Sequence, residues 1–293
     1  MQKRVKFVTD STCDLPRTLL RDHDITVLSL HVFLGERDCL DGVDLQPDEL
    51  FRYAQASQRL PHTAAASVLE FYEAFKKAFD DGYDAVLYTG ISAALSSTLQ
   101  NAMMAARELA ALGIDPARVH CVDSMQLSSG SGELLLRGLK LAEEGWGAAE
   151  IARELEGVAP RIRTSFVVDT LEYLHMGGRC GSVAYLAGSM LKIHPMIEVN
   201  GGKMRVGDRF HGDIAHCLEI YRRKTIEARL ESLEPGRVFI VHTFGEAAPE
   251  IKRAEEALKS LNYFGEVRVA HAGATISSHC GPGTLGYITV MKA

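Results

Sequence analysis

The stretch Val167–Val199, VVDTLEYLHMGGRCGSVAYLAGSMLKIHPMIEV, organises the reading of this chain. It grows out of a β-branched apolar run, Phe166 to Val168, that turns polar at Asp169 and Thr170. A short helical turn over 171–176 leads to the break Gly177–Gly178–Arg179. A helix is expected next, in which Val183, Tyr185, Leu186, Met190 and Leu191 alternate with Ala184, Ala187, Gly188 and Ser189. The chain then leaves through His194–Pro195 into another apolar strand. Two glycines let the backbone turn sharply and set a planar cation beside the turn. Small residues on a helix surface allow close approach by another element or by a slender ligand. A cation beside an apolar passage suits a carboxylate that carries an apolar tail.

Before this stretch, strands and helices alternate. Val5–Thr9, Ile25–Leu34, Asp84–Thr89 and Val119–Val122 read as strands. Helices follow near Pro16–Asp22, from Pro47, from Ser67 to Lys77, from the Ser92 region to Leu112, up to Glu144, and over Ala148–Leu155. Proline with Asp48 and Glu49 marks one helix start, and Ser67 with Glu70 forms a capping box at another. Such alternation implies a parallel sheet covered on both faces. After the stretch, Asn200–Gly201–Gly202–Lys203 between apolar runs signals a hairpin. A helix over Asp213–Leu233 exposes Arg222, Arg223 and Lys224, most simply a solvated face. Val238–Thr243, Pro249–Leu261, Val267–Ala270 and Tyr287–Met291 read as strand, helix, strand and strand.

A chain of 293 residues is natural for two domains. The pattern places the boundary near 162, giving an N-terminal α/β domain over 1–162 and a C-terminal one over 163–293. A net charge of −6 argues against a nucleic-acid binder. No apolar stretch approaches a membrane span, and no signal-like apolar region precedes Asp10, so a cytoplasmic location is expected. Six cysteines without a CxxC pair read as reduced thiols. Eleven histidines show no zinc spacing, so no metal is expected.

Three strands of the first half end in small polar residues: Asp10–Ser11–Thr12, Ser92 with Ser96–Ser97–Thr98, and Asp123–Ser124. Ligands of open α/β sheets bind at such carboxyl ends, where helix N-termini favour anions. Asp123 and Ser124 read as helix caps. For Ser96, capping and carboxylate binding both stand. Thr63 reads as a loop hydroxyl before a capped helix. His279 reads as a loop residue beside Gly281–Pro282–Gly283, free to donate to an anion or to face solvent. Arg179 points to an anion, since a solvated arginine needs no double glycine before it. The literal GxGxxG at Gly281–Gly286 lacks the following βαβ unit, and P-loop and GxSxG motifs are absent.

Together, FVTDSTCDLP, DGVDLQPDEL, PHTAAASVLEFYEAF, ISAALSSTLQNA, CVDS, VDTLEYLHMGGR, HPMIEV and SHCGPGTLG resemble, in order and spacing, the DegV family of fatty-acid-binding proteins. The resemblance covers nearly the whole chain. It implies two α/β domains, the N-terminal one three-layered with a parallel sheet and the C-terminal one with a mixed sheet. One long-chain fatty acid would lie between them, with no other cofactor. Thr63 and Ser96 would hydrogen-bond the carboxylate, and Arg179 and His279 would lie at the head-group end, directly or through water. Val183, Leu186 and Met190 would wall the acyl tunnel. Some members serve as the non-catalytic acyl-binding subunit of a fatty acid kinase, whose partner subunit makes an acyl-phosphate for phospholipid synthesis; transient membrane contact fits that role. A fatty-acid sensor without a kinase partner is the alternative, followed by a serine hydrolase using Ser96 with His279 as base. One departure stands out: Thr63-Ala64-Ala65-Ala66-Ser67 replaces the usual Thr-Ser-x-Pro-Ser, which loosens the loop and removes its middle serine.

Overall fold

The computed structural model describes residues 4–181, 193–245 and 247–293. The expected helix over 183–191, with Val183, Leu186 and Met190, lies outside the described residues.

Strand β1 (Val5–Asp10) runs through a 3-10 turn (Ser11–Cys13) to α1 (Arg17–Asp22) and β2 (Thr26–Leu28). Strands β3 (His31–Leu34) and β4 (Arg37–Leu40), α2 (Pro47–Ser57), β5 (His62–Ala64) and α3 (Val68–Asp80) follow. Then come β6 (Ala85–Gly90), α4 (Thr98–Glu108), β7 (Val119–Asp123), α5 (Ser129–Glu143) and α6 (Ala148–Val158). Strands β2, β1, β6 and β7 form a parallel sheet in that order. Alternation along the strands explains its two covered faces. Val8, Val86 and Tyr88 pack against Phe71 and Phe75 of α3 and Ala102 and Ala105 of α4. Phe7 and Leu87 point the other way, toward Leu134 and Leu135 of α5 and Ile151 of α6. The result is the three-layer arrangement expected from strand–helix alternation.

The apolar run Ile25–Leu34 divides rather than forming one strand. Its first part joins the parallel sheet as β2; its second joins a small antiparallel sheet of order β4-β3-β5. The break falls at Ser29–Leu30, where distant partners claim the backbone. The Leu30 N–H donates to Ser11 Oγ at 3.0 Å, and its carbonyl accepts from the Asp41 N–H at 2.9 Å. Hydrophobic periodicity carries no trace of such long-range bonds.

The rest of the chain contributes β8 (Ile162–Val167), α7 (Glu172–Gly177), β9 (Ile193–Asn200), β10 (Lys203–His211), α8 (Ile214–Thr225), β11 (Arg237–His242), α9 (Pro249–Ser260), β12 (Glu266–His271), α10 (Ala274–Cys280) and β13 (Leu285–Val290). Six strands form a mixed sheet of order β10-β9-β8-β13-β11-β12, in which β11 and β12 pair parallel and the other pairs are antiparallel. The β9–β10 hairpin turns at Gly201 and Gly202, with φ of +57° and +78°. Both central positions need positive φ, which is why glycine fills them. His194 and Pro195 lie inside β9, not before it, where the register with β10 shifts between Val206 and Arg209. A proline is tolerated in a strand at such an irregularity.

Helices α8 and α9 cover one face of the mixed sheet through Leu218, Tyr221, Ala254 and Leu258. The other face, with Phe166, Phe239 and Ile288, belongs to the same apolar cluster as Phe7 and Leu134. That cluster therefore runs unbroken from the parallel sheet, through α5, to the mixed sheet. At its edge Glu133 of α5, with a side chain only 4% exposed, pairs with Arg137 at 2.8 Å and with Arg237 of β11 at 2.7 Å. Arg222, Arg223 and Lys224 are each engaged by an acid: Glu227, Glu219 and Asp208.

Candidate functional site

The turn after β6 is held from beneath by Asp10. This buried carboxylate accepts from Thr12 N–H (3.0 Å), Thr12 Oγ1 (2.5 Å), Tyr88 Oη (2.8 Å) and Ile91 N–H (3.0 Å). Burial pushes its pKa up, and the four donors pull against that shift. Gly90 leaves the space: a Cβ there would sit 1.9 Å from Asp10 Oδ2. Above this anchor, Ser92 donates to the Gly202 carbonyl at 2.9 Å, fastening the β9–β10 turn onto the parallel sheet's carboxyl edge.

Ser96 comes next. Helix α4 starts at Thr98, two residues later than a Ser96-led helix would. The Ser96 hydroxyl accepts from Thr98 N–H at 3.3 Å and shares a hydrogen bond with Thr98 Oγ1 at 2.8 Å. Asp123 and Ser124 do not cap α5, which begins at Ser129. Asp123 accepts from Met125 N–H (2.8 Å) and Ala93 N–H (3.3 Å), while Ser124 donates to the Gly90 carbonyl (2.5 Å). Both brace strand ends.

Thr63 is not in a loop. It is the middle residue of β5, paired with Val32. Its hydroxyl meets His279 Nε2 at 2.9 Å across the molecule. His279 is not a loop residue either: it lies in the last turn of α10. The local sequence hides this helix because its caps are remote. Asp14 accepts from Gly273 N–H and Asp41 from Ala274 N–H, each at 2.8 Å.

The His279 Nδ1 is shut off from solvent and has no partner among the described residues. It faces Gly177, where a Cβ would lie 2.3 Å away. Gly177 ends α7, and Gly178 follows at φ +67°. The chain then presents Arg179, whose Nη1 donates to the Gly177 carbonyl at 2.7 Å. The double glycine thus serves two purposes: one residue clears the imidazole, the other turns the backbone.

Burial, followed by the Arg179 charge, pushes the His279 pKa down to about 4. Burial and the neighbouring His271 do the same for His242. An unfolded histidine takes its proton near pH 6.5. Between there and about 4 the unfolded chain binds more protons than the folded one, so these histidines withdraw stability as pH falls through that window. Buried Asp10, Asp14 and Asp41, all raised, act in the opposite sense. The clean readout is therefore a difference. His279→Gln is expected to flatten the acid limb of the stability profile between about pH 6.5 and 4 relative to wild type. Parallel limbs in urea unfolding would remove His279 from this account.

Thr63, Ser96, Arg179 and His279 line one cavity of about 250 Å³. Leu30, Ile91, Leu95, Leu127, Met204 and Ile276 supply its apolar wall. Leu127, Ile276 and Cys280 also line a narrower space that continues toward Phe166, Val241 and Ile288 of the mixed sheet. The cavity therefore combines hydroxyls and a guanidinium with an apolar wall, and the adjoining space of about 20 Å³ is lined largely by residues of the mixed sheet. Ser96 and His279 are not hydrogen-bonded to each other; their hydroxyl and imidazole engage Thr98 and Thr63 respectively. Among the described residues there is no cluster of three or more histidine, cysteine, aspartate or glutamate side chains able to hold a metal ion.

A family model described as an uncharacterised protein of the DegV family matches residues 4–292. A DegV domain-containing protein of Deinococcus radiodurans is 32% identical over 285 residues, 96% of each chain. A DegV-family protein of Thermus thermophilus, described by its fatty acid binding, superposes with a TM-score of 0.89 at 30% identity, covering 99% of this chain and 100% of its own. A DegV lipid-binding protein of Thermotoga maritima superposes at 0.82 with 25% identity, over 98% of each chain.

Proposed function

This chain belongs to the DegV family, and from that premise we propose that it carries one long-chain fatty acid. The carboxylate sits against Thr63 and Ser96, with Arg179 and His279 at the head-group end. The acyl chain follows the apolar wall toward Phe166 and Ile288. The observation that carries this reading is that those four side chains line one cavity together with an apolar wall, beside a second, smaller, apolar-lined space. Each buried CH₂ contributes about 0.8 kcal/mol, so a long tail supplies most of the affinity. A carboxylate leaving water is costly unless several donors meet it. Neutral His279 holds the Thr63 hydroxyl without adding charge, and the positive charge comes from Arg179.

The bound carboxylate is presented to a separate kinase subunit, which phosphorylates it for phospholipid synthesis in the cytoplasm. A sensor without such a partner is the second reading. No helix among the described residues is long and apolar enough to cross a membrane.

Lipid extraction and mass spectrometry of the purified protein, with thermal unfolding in added oleate, test the carrier role. A recovered acyl chain and a raised Tm are expected; neither appearing ends the proposal. Ser96→Ala is expected to weaken oleate binding about fivefold, and unchanged affinity removes Ser96 from the site. A coupled assay with a kinase subunit and ATP separates the two roles: phosphorylated lipid formed only in the mixture supports presentation.

A further inference from the structure

Helix α10 is held at both ends by residues from the other half of the chain. At its C-terminal end His279 meets Thr63. At its start, Asp14 Oδ1 accepts from Gly273 N–H and Asp41 Oδ1 from Ala274 N–H, each at 2.8 Å. The remaining carboxylate oxygens are also engaged: Ser128 Oγ donates to Asp14 at 2.5 Å, and Ser11 Oγ donates to Asp41 at 2.9 Å. Both acids are nearly closed to solvent, Asp14 at 8% and Asp41 at 2% exposure. Gly273 is squeezed between them, since a Cβ there would stand 3.1 Å from Oδ1 of each.

The backbone around this junction is strained. Asp14 sits at φ 47°, ψ 36°, and Ser128 at φ 54°, ψ −147°. Non-glycine residues rarely adopt such regions and persist in them only where their surroundings hold them. A serine or asparagine within the local sequence could cap a short helix without that strain or the burial of two acids. What the remote acids add is a fixed position relative to β1 and β4, on which the turn carrying Ser96 and the small sheet carrying Thr63 also depend.

We infer that Asp14 and Asp41 are positioning residues for the head-group end of the cavity, setting His279 and Ile276 through α10. This deepens the fatty-acid reading and rests on it. The seven-residue helix spans only about 10 Å at 1.5 Å per residue, two turns, so a shift at its start carries through to His279. Ile276 on the same helix lines both the head-group cavity and its apolar continuation. A displaced cap therefore alters both at once.

The test compares Asp41→Ala, Asp41→Asn and a control, Leu258→Ala, which removes core from the far face of the mixed sheet. Oleate affinity is measured by titration calorimetry, Tm by scanning calorimetry, and the His279 ring nitrogens by ¹⁵N NMR. Asp41→Ala is expected to weaken oleate binding about tenfold and shift the His279 resonances. Asn retains an acceptor for Ala274 N–H and is expected to restore affinity to within about twofold of wild type. Leu258→Ala is expected to lower Tm with affinity and resonances unchanged. Should Asp41→Ala not fold, Ser11→Ala removes the second contact to Asp41 more gently, with a two- to threefold effect of the same kind expected. Affinity and resonances that follow Tm alone, or stay at wild type in both Asp41→Ala and Ser11→Ala, overturn the inference. A wild-type protein that binds no oleate sinks the carrier reading instead, and the His279 resonances of the ligand-free variants then decide the positioning role by themselves.

Discussion

Gly90→Ala is expected to cost the folded state about 3 kcal/mol or more, a large share of the 5–15 kcal/mol typical of a folded protein. The added methyl would lie 1.9 Å from Asp10 Oδ2, 2.4 Å from Tyr88 Oη and 2.8 Å from Asp10 Cγ. None of these atoms can step aside freely. Asp10 is fully buried and held by four donors, and Tyr88 is among the largest fully buried side chains. Moving the carboxylate leaves a buried acid short of partners, at a penalty well above that of ordinary overpacking. The damage extends to the cavity, because Asp10 also fixes Ile91 N–H at the root of the turn that carries Ser96. Urea unfolding measures the loss; a change below about 1 kcal/mol would show that the pocket beneath β6 is softer than these contacts imply.

Gly177→Ala carries the second large effect, on binding rather than on stability. Its Cβ would lie 2.3 Å from His279 Nδ1 and 3.2 Å from Cε1, so the imidazole must turn away and release Thr63. The backbone does not object, because Gly177 is the last residue of α7 and lacks the positive φ of Gly178. Alanine is favoured over glycine in a helix by about 1 kcal/mol, which offsets part of the crowding in the stability measurement. Oleate affinity is expected to fall roughly thirtyfold, as loss of about 2 kcal/mol of head-group contact implies. A Tm near wild type with that affinity loss supports the assignment, whereas affinity within twofold of wild type detaches His279 from the head group.

What the sequence revealed follows from how local each signal is. The capping box at Ser67 and Glu70, the Gly201–Gly202 hairpin and the strand–helix alternation of the first half are all set by neighbours in the chain, and each is present. Helix α10 escaped because its capping acids lie 233 and 259 positions away, leaving ATISSHC with the look of a loop. The division of Ile25–Leu34 escaped for the same reason, with Ser11 and Asp41 claiming the Leu30 backbone. Thr63, Ser96, Arg179 and His279 were marked out individually by hydroxyls, a double glycine and a family resemblance. The resemblance already implied that they meet at one head group; the direct Thr63–His279 contact and the approach of Gly177 to the imidazole could be read only from the fold. Gly90 and Gly177 went unread as packing requirements, since nothing in a string of letters shows which side chain approaches a bare Cα.

The apolar cluster shared by the two sheets has a kinetic consequence. Swinging the sheets apart as rigid bodies would strip Leu134, Leu135, Phe166 and Ile288 of their cover. At about 1.5–3 kcal/mol for each side chain, that opening approaches the stability of the whole protein. On the carrier reading, a hinge is therefore a costly route for ligand exchange. Local breathing at the rim of the cavity, with the rest of the molecule still folded, exposes far less apolar surface. Exchange rates should then respond to substitutions at the rim and stay indifferent to those that tighten the seam between the sheets.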